Sequence, residues 1–127
     1  AHAPNAGMIY ITKSFVSSLL QKFSNEEIIQ MSESELENHF KHNYFVFQEE
    51  FSIEKVLELL DSYARASGFN YKHRIEGNNH TIVIQHDMGN KVSLLLSSMI
   101  KKVFQDVPLS SYDIQESRDI VIIRLKV

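Results

Sequence analysis

Cysteine and tryptophan are both absent from the 127 residues of the sequence. A chain without cysteine forms no disulfide and has no thiolate nucleophile, and this composition is typical of a reducing compartment. No apolar run approaches the roughly 20 residues that span a bilayer, and no signal peptide is recognisable. We therefore expect a cytoplasmic protein that does not enter a membrane.

An excess of basic charge is also missing, since the formal net charge is -3 and the isoelectric point is about 6.1. A protein that binds nucleic acid by itself usually carries a basic stripe, and none is visible. Motifs of common enzymes are missing as well, because the sequence has no P-loop, no GxGxxG and no GxSxG. The chain begins at Ala1 rather than at Met, so we expect a processed protein or an excised domain.

What is present fits one folded domain. Hydrophobic residues make up 43% of the chain and charged residues 23%, which is enough apolar material for a core. We predict a single α+β domain over residues 1–127. Its three parts are a linker or tail at 1–7, a helical part at 8–68 and a hairpin–helix–hairpin at 69–127.

The helical part shows the three-and-four spacing of apolar residues that is typical of amphipathic helices. Ser24 and Ser32 each precede a Glu by three residues, which is the pattern of a capping box. Gly68 is predicted to end the last helix in the left-handed conformation. The predicted helices run from about Thr12 to Phe23, from Ser24 to Met31, from Ser32 to Phe47 or Glu50, and from Ser52 to Gly68.

Two β-hairpins are predicted after the last of these helices, because the apolar period changes there from about 3.6 to two. In the first hairpin the turn Glu76–Asn79 puts Ile75 opposite His80. In the second hairpin Ile114 is predicted to lie opposite Val121. Both registers collect the apolar residues on one face, which is the condition for a half-buried sheet.

A helix over about 90–106 joins the two hairpins, and Pro108 stops it. Its broad apolar stripe is predicted to pack on the sheet. The fold class is therefore α+β, with a four-stranded, mainly antiparallel sheet covered by helices on one face. The pattern does not give the order of the strands.

Polar residues of several kinds meet at the predicted corner between the second strand and this helix. Gly89 allows a sharp turn, Asn90 is predicted as the N-cap, and Ser93 follows at the third helical position. His86 and Lys91 lie beside them in sequence. A helix N-terminus offers free amides, so we predict that His86, Gly89, Lys91 and Ser93 bind an anionic or polar ligand group. The alternative is a corner whose polar residues only cap the helix.

Aromatic residues are the second candidate for ligand binding. Tyr44, Phe47, Tyr63 and Tyr71 are predicted to wall a pocket between the helices and the sheet. The same residue types build cores and dimer interfaces, and both of these alternatives remain open.

Three histidines, at positions 73, 80 and 86, fall on the predicted inner face of the sheet. His80 and His86 are six residues apart along one strand, which separates them by about 20 Å, so they do not share one ion. One interpretation of His73 is a satisfied core histidine, and a pH-sensing role for any one of the three stays open. We therefore predict no metal site in the sheet.

Glu35, His39 and His42 have the i, i+4, i+7 spacing of one helix face. A carboxylate and two imidazoles can bind a metal, but the HExxH arrangement of a specific zinc site is absent. We interpret this face as a solvated helix flank and expect neither a metal nor a cofactor.

The corner also carries the clearest resemblance to a known family. The pattern H-x-x-G-x-K-x-S-x-x-L fits His86, Gly89, Lys91, Ser93 and Leu96, and the segments at 2–8 and 11–15 add to it. On these residues the chain resembles the C-terminal domain of an uncharacterised archaeal family, best represented in thaumarchaea. Members of that family often carry a ribbon-helix-helix-like DNA-binding segment before this domain. The resemblance implies a domain of a transcriptional regulator that contacts DNA only through that segment, which this sequence does not contain.

The order hairpin–helix–hairpin is also similar to vinyl-reductase-like and haem nitric-oxide-binding sensory domains, which implies small-molecule sensing. No proximal haem histidine can be assigned, so we expect no haem. The leading hypothesis is a non-enzymatic sensory or regulatory domain that binds a small ligand, forms a homodimer, or does both. The alternatives are a pure oligomerisation module and a small enzyme that uses His86 and Asp87 as an acid–base pair.

Overall fold

The computed structural model describes residues 9–41 and 52–127. Within these residues the chain is α+β, with helices packed on one face of a four-stranded antiparallel sheet, as predicted. The elements in order are α1 (Lys13–Leu20), α2 (Asn25–Glu35), a π-helical segment (Leu36–Lys41), α3 (Ile53–Ala66), β1 (Asn70–Glu76), β2 (Asn79–Gln85), α4 (Asn90–Phe104), β3 (Ser111–Glu116) and β4 (Ile120–Lys126). None of the helices in this part of the chain is both long and apolar enough to cross a bilayer.

Side-chain caps start the first two helices where the sequence predicts them. The Thr12 hydroxyl accepts a hydrogen bond from the Phe15 amide over 3.2 Å. Ser24 and Glu27 form a complete capping box, in which each side chain accepts from the backbone amide of the other. The box satisfies two amides that have no partner inside the helix.

The second predicted capping box is wrong. α2 continues through Ser32 to Glu35, and the Ser32 hydroxyl donates to the Ile29 carbonyl instead of capping a new helix. Inside a continuing helix every amide already has its acceptor, so the Ser-x-x-Glu pattern has nothing to cap. A π-helical turn at Leu36–Lys41 follows; the rest of the predicted third helix lies outside the described residues.

α3 begins and ends at the predicted residues. Ser52 is its N-cap, and its hydroxyl accepts from the amide of Lys55. Gly68 follows the helix with φ +74°, the left-handed conformation that favours glycine. The amide of Gly68 donates to the Arg65 carbonyl and that of Phe69 to the Ala64 carbonyl over 2.8 Å. This pair of hydrogen bonds is the Schellman motif, and it turns the chain into β1.

The strands lie in the order β1-β2-β4-β3, so β2 and β4 form the centre of the sheet. The predicted register of the first hairpin is confirmed: Ile75 pairs with His80, and His73 pairs with Ile82. Gly77 supplies the positive φ of +62° that the tight turn needs.

The predicted register of the second hairpin is wrong by two residues. Ile114 pairs with Ile123 rather than with Val121. The turn is as tight as predicted but lies one residue further along, at Ser117–Ile120 instead of Glu116–Asp119, since the Ser117 amide donates to the Ile120 carbonyl over 2.9 Å. A shift by two residues keeps every side chain on the same face of the sheet, so the apolar pattern did not distinguish the two registers.

The core lies between α4 and the inner face of the sheet. α4 contributes most of its apolar stripe to this core. α2 packs against α4, and α3 packs against β1. The central side chains of this layer, each at most 2% exposed, are Ile28, Val56, Ile82, Ile84, Met99, Ile100, Val121 and Ile123. Along β2 and β4, buried side chains alternate with more exposed ones, as a sheet with one covered face requires.

The helices within residues 9–41 and 52–127 do not cover the whole inner face of the sheet. At the hairpin end of β1, Ile75 is 58% exposed and His73 is exposed too. The interpretation of His73 as a core histidine is therefore wrong. The residues alternate as predicted, but alternation gives the face of a side chain and not the extent of the layer above it.

Candidate functional site

The corner between β2 and α4 has an unusual backbone. Asp87 has φ +60°, and Gly89 has φ +92° with ψ 176°. The Gly89 conformation is one that essentially only glycine adopts, so the predicted role of Gly89 in a sharp turn agrees with the structure. The predicted N-cap is wrong: Gly89 itself is the N-cap, and Asn90 is the first helical residue with no side-chain cap.

His86 holds this corner from the inside. Its side chain is completely buried. The Met88 amide donates to Nδ1 over 2.9 Å, and Nε2 lies 2.7 Å from the Ser93 hydroxyl. Because Nδ1 accepts a hydrogen bond, it carries the lone pair, and the ring proton sits on Nε2. The imidazole therefore links the start of the corner to the first turn of α4.

The surroundings of His86 favour its neutral form. Burial lowers its pKa below the usual value of 6.5, and Lys13 acts in the same direction, while Asp119 and Asp87 oppose the shift. The Phe69 ring meets the imidazole edge to face at a centroid distance of 6.0 Å. Protonation would also place a hydrogen on Nδ1 opposite the Met88 N–H, so that two donors would face each other.

His86 and Ser93 resemble a nucleophile and its base only in distance. A general base must accept the hydroxyl proton on a lone pair, but here Nε2 is the protonated nitrogen and the lone pair faces Met88. Ser93 is 1% exposed. The Asp87 carboxylate accepts from the Gln85 side chain rather than from the imidazole. The side chains of His86 and Asp87 are therefore not hydrogen-bonded to each other, because each is bound to another partner.

Asp119, in the turn between β3 and β4, ties the corner from the other side. Its carbonyl accepts from the His86 amide over 3.0 Å and from the Asp87 amide over 3.3 Å, and its carboxylate accepts from the Gly89 amide over 3.0 Å. From α1, the Ser17 hydroxyl donates to the Met88 carbonyl over 2.6 Å. The amides of His86, Asp87 and Gly89 and the carbonyl of Met88 thus have partners from distant parts of the chain.

An open cleft of about 800 Å³ lies on the outer side of the corner. Three regions distant in sequence form its walls: α1 and the start of α2, the corner with α4, and the β3–β4 turn. The residues that line it are Ser17, Gln21, Asn25, Asp87, Met88, Gly89, Asn90, Lys91, Leu94, Glu116, Arg118 and Asp119.

Two of the four predicted ligand residues, Gly89 and Lys91, line this cleft. The other two, His86 and Ser93, lie behind its floor and hold the corner in shape. Sequence reasoning missed the walls from α1, from α2 and from the β3–β4 turn. No local pattern marks those residues, because only the packing of the helices and the strand order bring them to the corner.

The charged side chains of the cleft differ in their hydrogen-bond partners. The Lys91 ammonium donates to the Asn25 side-chain oxygen over 2.9 Å. The Glu116 carboxylate accepts a hydrogen bond from Ser97, and Asp119 accepts from the Gly89 amide. Arg118 contributes its guanidinium from an exposed turn. Asp87, the third carboxylate of the lining, accepts from the Gln85 side chain. All three carboxylates thus have donors within the protein, while the two basic groups lie on long side chains at the open edge.

The aromatic residues give a different picture. Tyr63 lines a small apolar cavity of about 10 Å³ between α3, α4 and the sheet, roughly the room for one water molecule. Its hydroxyl donates to Glu35 over 2.9 Å, and burial, then Glu35, raise its pKa. Tyr44 and Phe47 lie outside the described residues, so the aromatic pocket as a whole stays a prediction.

Tyr71 lies on the same face but does not line that cavity. Its hydroxyl is the one buried side-chain polar atom in the described ranges without a hydrogen-bond partner. Burial raises its pKa to about 12, and Asp61 adds to the rise. Tyr71 thus contributes packing to the edge of the core rather than a polar contact to a pocket.

His73 and His80 come together at the far end of the first hairpin. Their rings stack at a centroid distance of 5.0 Å, and His73 Nε2 lies 2.8 Å from His80 Nδ1. No group of three or more metal-ligating side chains occurs within residues 9–41 and 52–127. Glu35 accepts from Tyr63, whereas the side chains of His39 and His42 are not among those described.

Comparison with known proteins does not assign the chain to a group: no family model matches it, and neither does any curated protein sequence.

Proposed function

We propose that this chain is a non-enzymatic regulatory domain whose small polar ligand occupies the cleft beside the β2–α4 corner. The observation that carries the proposal is the cleft itself, with a volume of about 800 Å³ and a lining drawn from three distant regions. That volume falls within the range of about 300–1,000 Å³ for small-molecule sites. The structural hydrogen bonds behind its floor keep the site preformed, which lowers the cost of binding.

The basic groups at the cleft support a ligand with an anionic group. Lys91 lines it from α4 and Arg118 lines it from the β3–β4 turn. The Gly89 carbonyl accepts from the amides of Val92 and Ser93, so the amides of Asn90 and Lys91 have no acceptor inside the helix. Helix amides and a nearby cation together favour anionic oxygen. The Asn25 side chain that now binds Lys91 is a ready hydrogen-bonding partner for the neutral part of such a ligand.

A ligand in this position would act on the packing between the N-terminal helices and the sheet. It would contact α1 and α2 on one side and the β3–β4 turn on the other, so it would stabilise the arrangement in which these walls stand at the right distance. Such a bias is a population shift, limited by the difference in affinity for the two arrangements. In the full regulator that the family resemblance implies, a DNA-binding segment would respond to that shift.

The state of His86 supports a non-enzymatic role over a small enzyme. Its lone pair is held by the Met88 amide, and its proton is held by Ser93. A buried imidazole with both nitrogens occupied and a lowered pKa is suited to structure rather than to proton transfer with a substrate.

Homodimerisation is the second part of the proposal, and the exposed face of α1 favours it. Ile11, Phe15 and Leu19 lie four residues apart and are 50%, 56% and 44% exposed. Phe15 and Leu19 form one apolar stripe on the surface of α1, and Ile11 lies just before the helix. Ile9 and Tyr10 extend this exposed apolar surface. A self-complementary stripe of this kind fits the two-fold interface of a dimer.

Ligand binding is tested first by native mass spectrometry of the protein from its expression host, before and after denaturation. A mass excess that is lost on denaturation supports the proposal and gives the ligand class. That ligand is then titrated into Lys91→Ala and into Lys101→Ala, which removes the same charge from the far end of α4. We expect binding to weaken by roughly tenfold or more only in Lys91→Ala, because a charged hydrogen bond contributes about 1.5–3 kcal/mol. Equal binding by both variants would remove the ligand from this cleft.

Dimerisation is tested by sedimentation velocity at micromolar concentration. We expect a dimer that Phe15→Glu converts to monomer, because a carboxylate in the centre of an apolar interface loses its hydration without a partner. Ser14→Glu, at an exposed position of the same helix that does not share a face with Phe15 because it is one residue away, should leave the dimer intact. A wild-type protein that sediments as a monomer would contradict this part of the proposal while leaving the cleft untouched.

A further inference from the structure

His73 and His80 form a pair that neither the cleft nor the core explains. In the first hairpin His73 pairs with Ile82 and His80 with Ile75, so the two histidines are diagonal neighbours on one face. Their rings stack with an interplanar angle of 29°, and His73 Nε2 and His80 Nδ1 are 2.8 Å apart. One ring donates to the other, so two ring nitrogens converge on a single hydrogen.

The spacing of these nitrogens matches the edge of a metal coordination sphere. Metal–nitrogen bonds of imidazole are about 2.0–2.1 Å long, so two nitrogens 2.8 Å apart subtend an angle of about 85–90° at the ion. That is the cis angle of a square-planar or octahedral ion. A tetrahedral ion would need the nitrogens about 3.3–3.4 Å apart. Cu²⁺ and Ni²⁺ prefer the square-planar arrangement, whereas Zn²⁺ is usually tetrahedral.

The position of the pair suits an exchangeable ion. His73 is exposed and His80 is half-buried, so water can fill the remaining coordination positions. Burial lowers the pKa of His73, and the neighbouring His80 lowers it further, while Asp61 opposes them. Neutral imidazoles are the form that binds metal. The strand residues between His80 and His86 separate the pair from the corner by about 20 Å.

We propose that His73 and His80 form a two-imidazole site for a divalent transition metal, with Cu²⁺ bound most tightly and Ni²⁺ next. The ion takes the place of the hydrogen shared by His73 Nε2 and His80 Nδ1. The ring that donates this hydrogen changes tautomer, so its proton moves to its other nitrogen and both converging nitrogens offer a lone pair to the ion. It ties β1, an edge strand, to the central strand β2. Because binding requires the folded hairpin, the metal stabilises the native state by an amount that grows with the logarithm of its concentration over Kd.

The test needs a background in which other histidines do not compete. The chain also carries His2, His39 and His42, and a variant with His2→Asn, His39→Asn and His42→Asn is used as the reference protein. Cu²⁺, Ni²⁺ and Zn²⁺ are titrated into it by calorimetry at pH 7.5, and the Cu²⁺ complex is examined by electron paramagnetic resonance. We expect one Cu²⁺ per chain with two imidazole nitrogens in its equatorial plane, and Ni²⁺ bound more tightly than Zn²⁺.

The matched variants add His73→Asn or His80→Asn to the reference protein. Both positions are at the open end of the sheet, so both variants should fold, which circular dichroism checks. Each should lose at least roughly tenfold in Cu²⁺ affinity, since even an outer partner of a metal site contributes that much, and should show one imidazole nitrogen at most. Unchanged affinity in either variant would overturn the proposal. Tighter binding of Zn²⁺ than of Ni²⁺ would overturn the assigned geometry.

Discussion

The two ends of β2 carry histidines on the same face of the sheet, yet the two sites are opposites. His86, at the corner end, is completely buried, and its two nitrogens are bound by Met88 and Ser93. His80, at the hairpin end, has the side chain of His73 as its polar partner. Both residues are histidines, and both lie on the inner face of the sheet. What differs is the layer of described helices, which covers one end of the strand and stops short of the other.

This difference shows how helix coverage sets the role of a polar side chain. Under the helices, an imidazole needs a partner for each nitrogen, because a buried polar group without one costs about 1–3 kcal/mol. Beyond the helices, water supplies these partners, so the side chain is free to bind something else. The corner histidine therefore belongs to the structure of the cleft, and the hairpin histidines remain available for a ligand.

The largest expected effect comes from replacing each histidine by phenylalanine. His86→Phe leaves the Met88 amide and the Ser93 hydroxyl buried without their partner, so we expect a loss of about 2–4 kcal/mol in the free energy of unfolding. His73→Phe is at an exposed position and should change stability by less than about 0.5 kcal/mol. Urea denaturation of the two variants beside the wild-type protein measures both values.

Similar losses of unfolding free energy in His86→Phe and His73→Phe would contradict the contrast between the two ends of β2. His86→Asn sharpens it, because the shorter side chain removes the contact with Ser93 but keeps an acceptor oxygen near the Met88 amide. An intermediate stability for His86→Asn would assign separate shares to the two hydrogen bonds.

A second comparison uses the two glycines that turn the chain at each end of β2. Gly89 has φ +92° and ψ 176°, and Gly77 has φ +62°. Gly89→Ala should cost about 2–3 kcal/mol, since its backbone region is essentially closed to side chains. Gly77→Ala should cost about 1–2 kcal/mol, because the left-handed region is only moderately unfavourable for alanine and open space surrounds its Cβ position.

Thermal and urea unfolding of these two variants gives the order of their effects. A larger loss for Gly77→Ala would mean that the hairpin turn, and not the corner, holds the more constrained backbone. In that case the corner would no longer support the proposal that the floor of the cleft is preformed for a ligand.

Local features of the sequence predicted much of this fold. Ser24 with Glu27, Ser52, and Gly68 mark helix ends by chemistry that acts within a few residues. The register of the first hairpin followed from its tight turn at Gly77. Even the contact between His73 and His80 was implicit in that register, which makes them diagonal neighbours. The long separation of His80 from His86 excludes a site of all three histidines, but it does not exclude this pair.

The missed features depend on packing between distant segments. The second hairpin slipped by two residues because such a shift preserves the faces, and the extent of the helical layer decided whether His73 was covered. The cleft walls at Ser17 and Arg118 depend on how α1 docks and on the order of the strands. These arrangements are set by long-range contacts, for which a single sequence carries no local signal.

The smallest and most specific effect is the dependence of stability on pH. His86 has a lowered pKa in the folded state because it is buried, with Asp119 and Asp87 opposing the shift and Lys13 adding to it. The unfolded chain therefore takes up the proton first as the pH falls, so the stabilisation is complete above the usual pKa of 6.5 and is lost as the pH falls through the lower, folded value. We expect the melting temperature of the wild-type protein to fall over that range, and the fall to be shallower in His86→Asn.

His73, whose pKa is lowered as well, is more exposed, so His73→Asn should flatten the curve less. A curve that flattens more in His73→Asn than in His86→Asn would mean that the proton enters at the hairpin end and that the corner is not the site where acid weakens the fold.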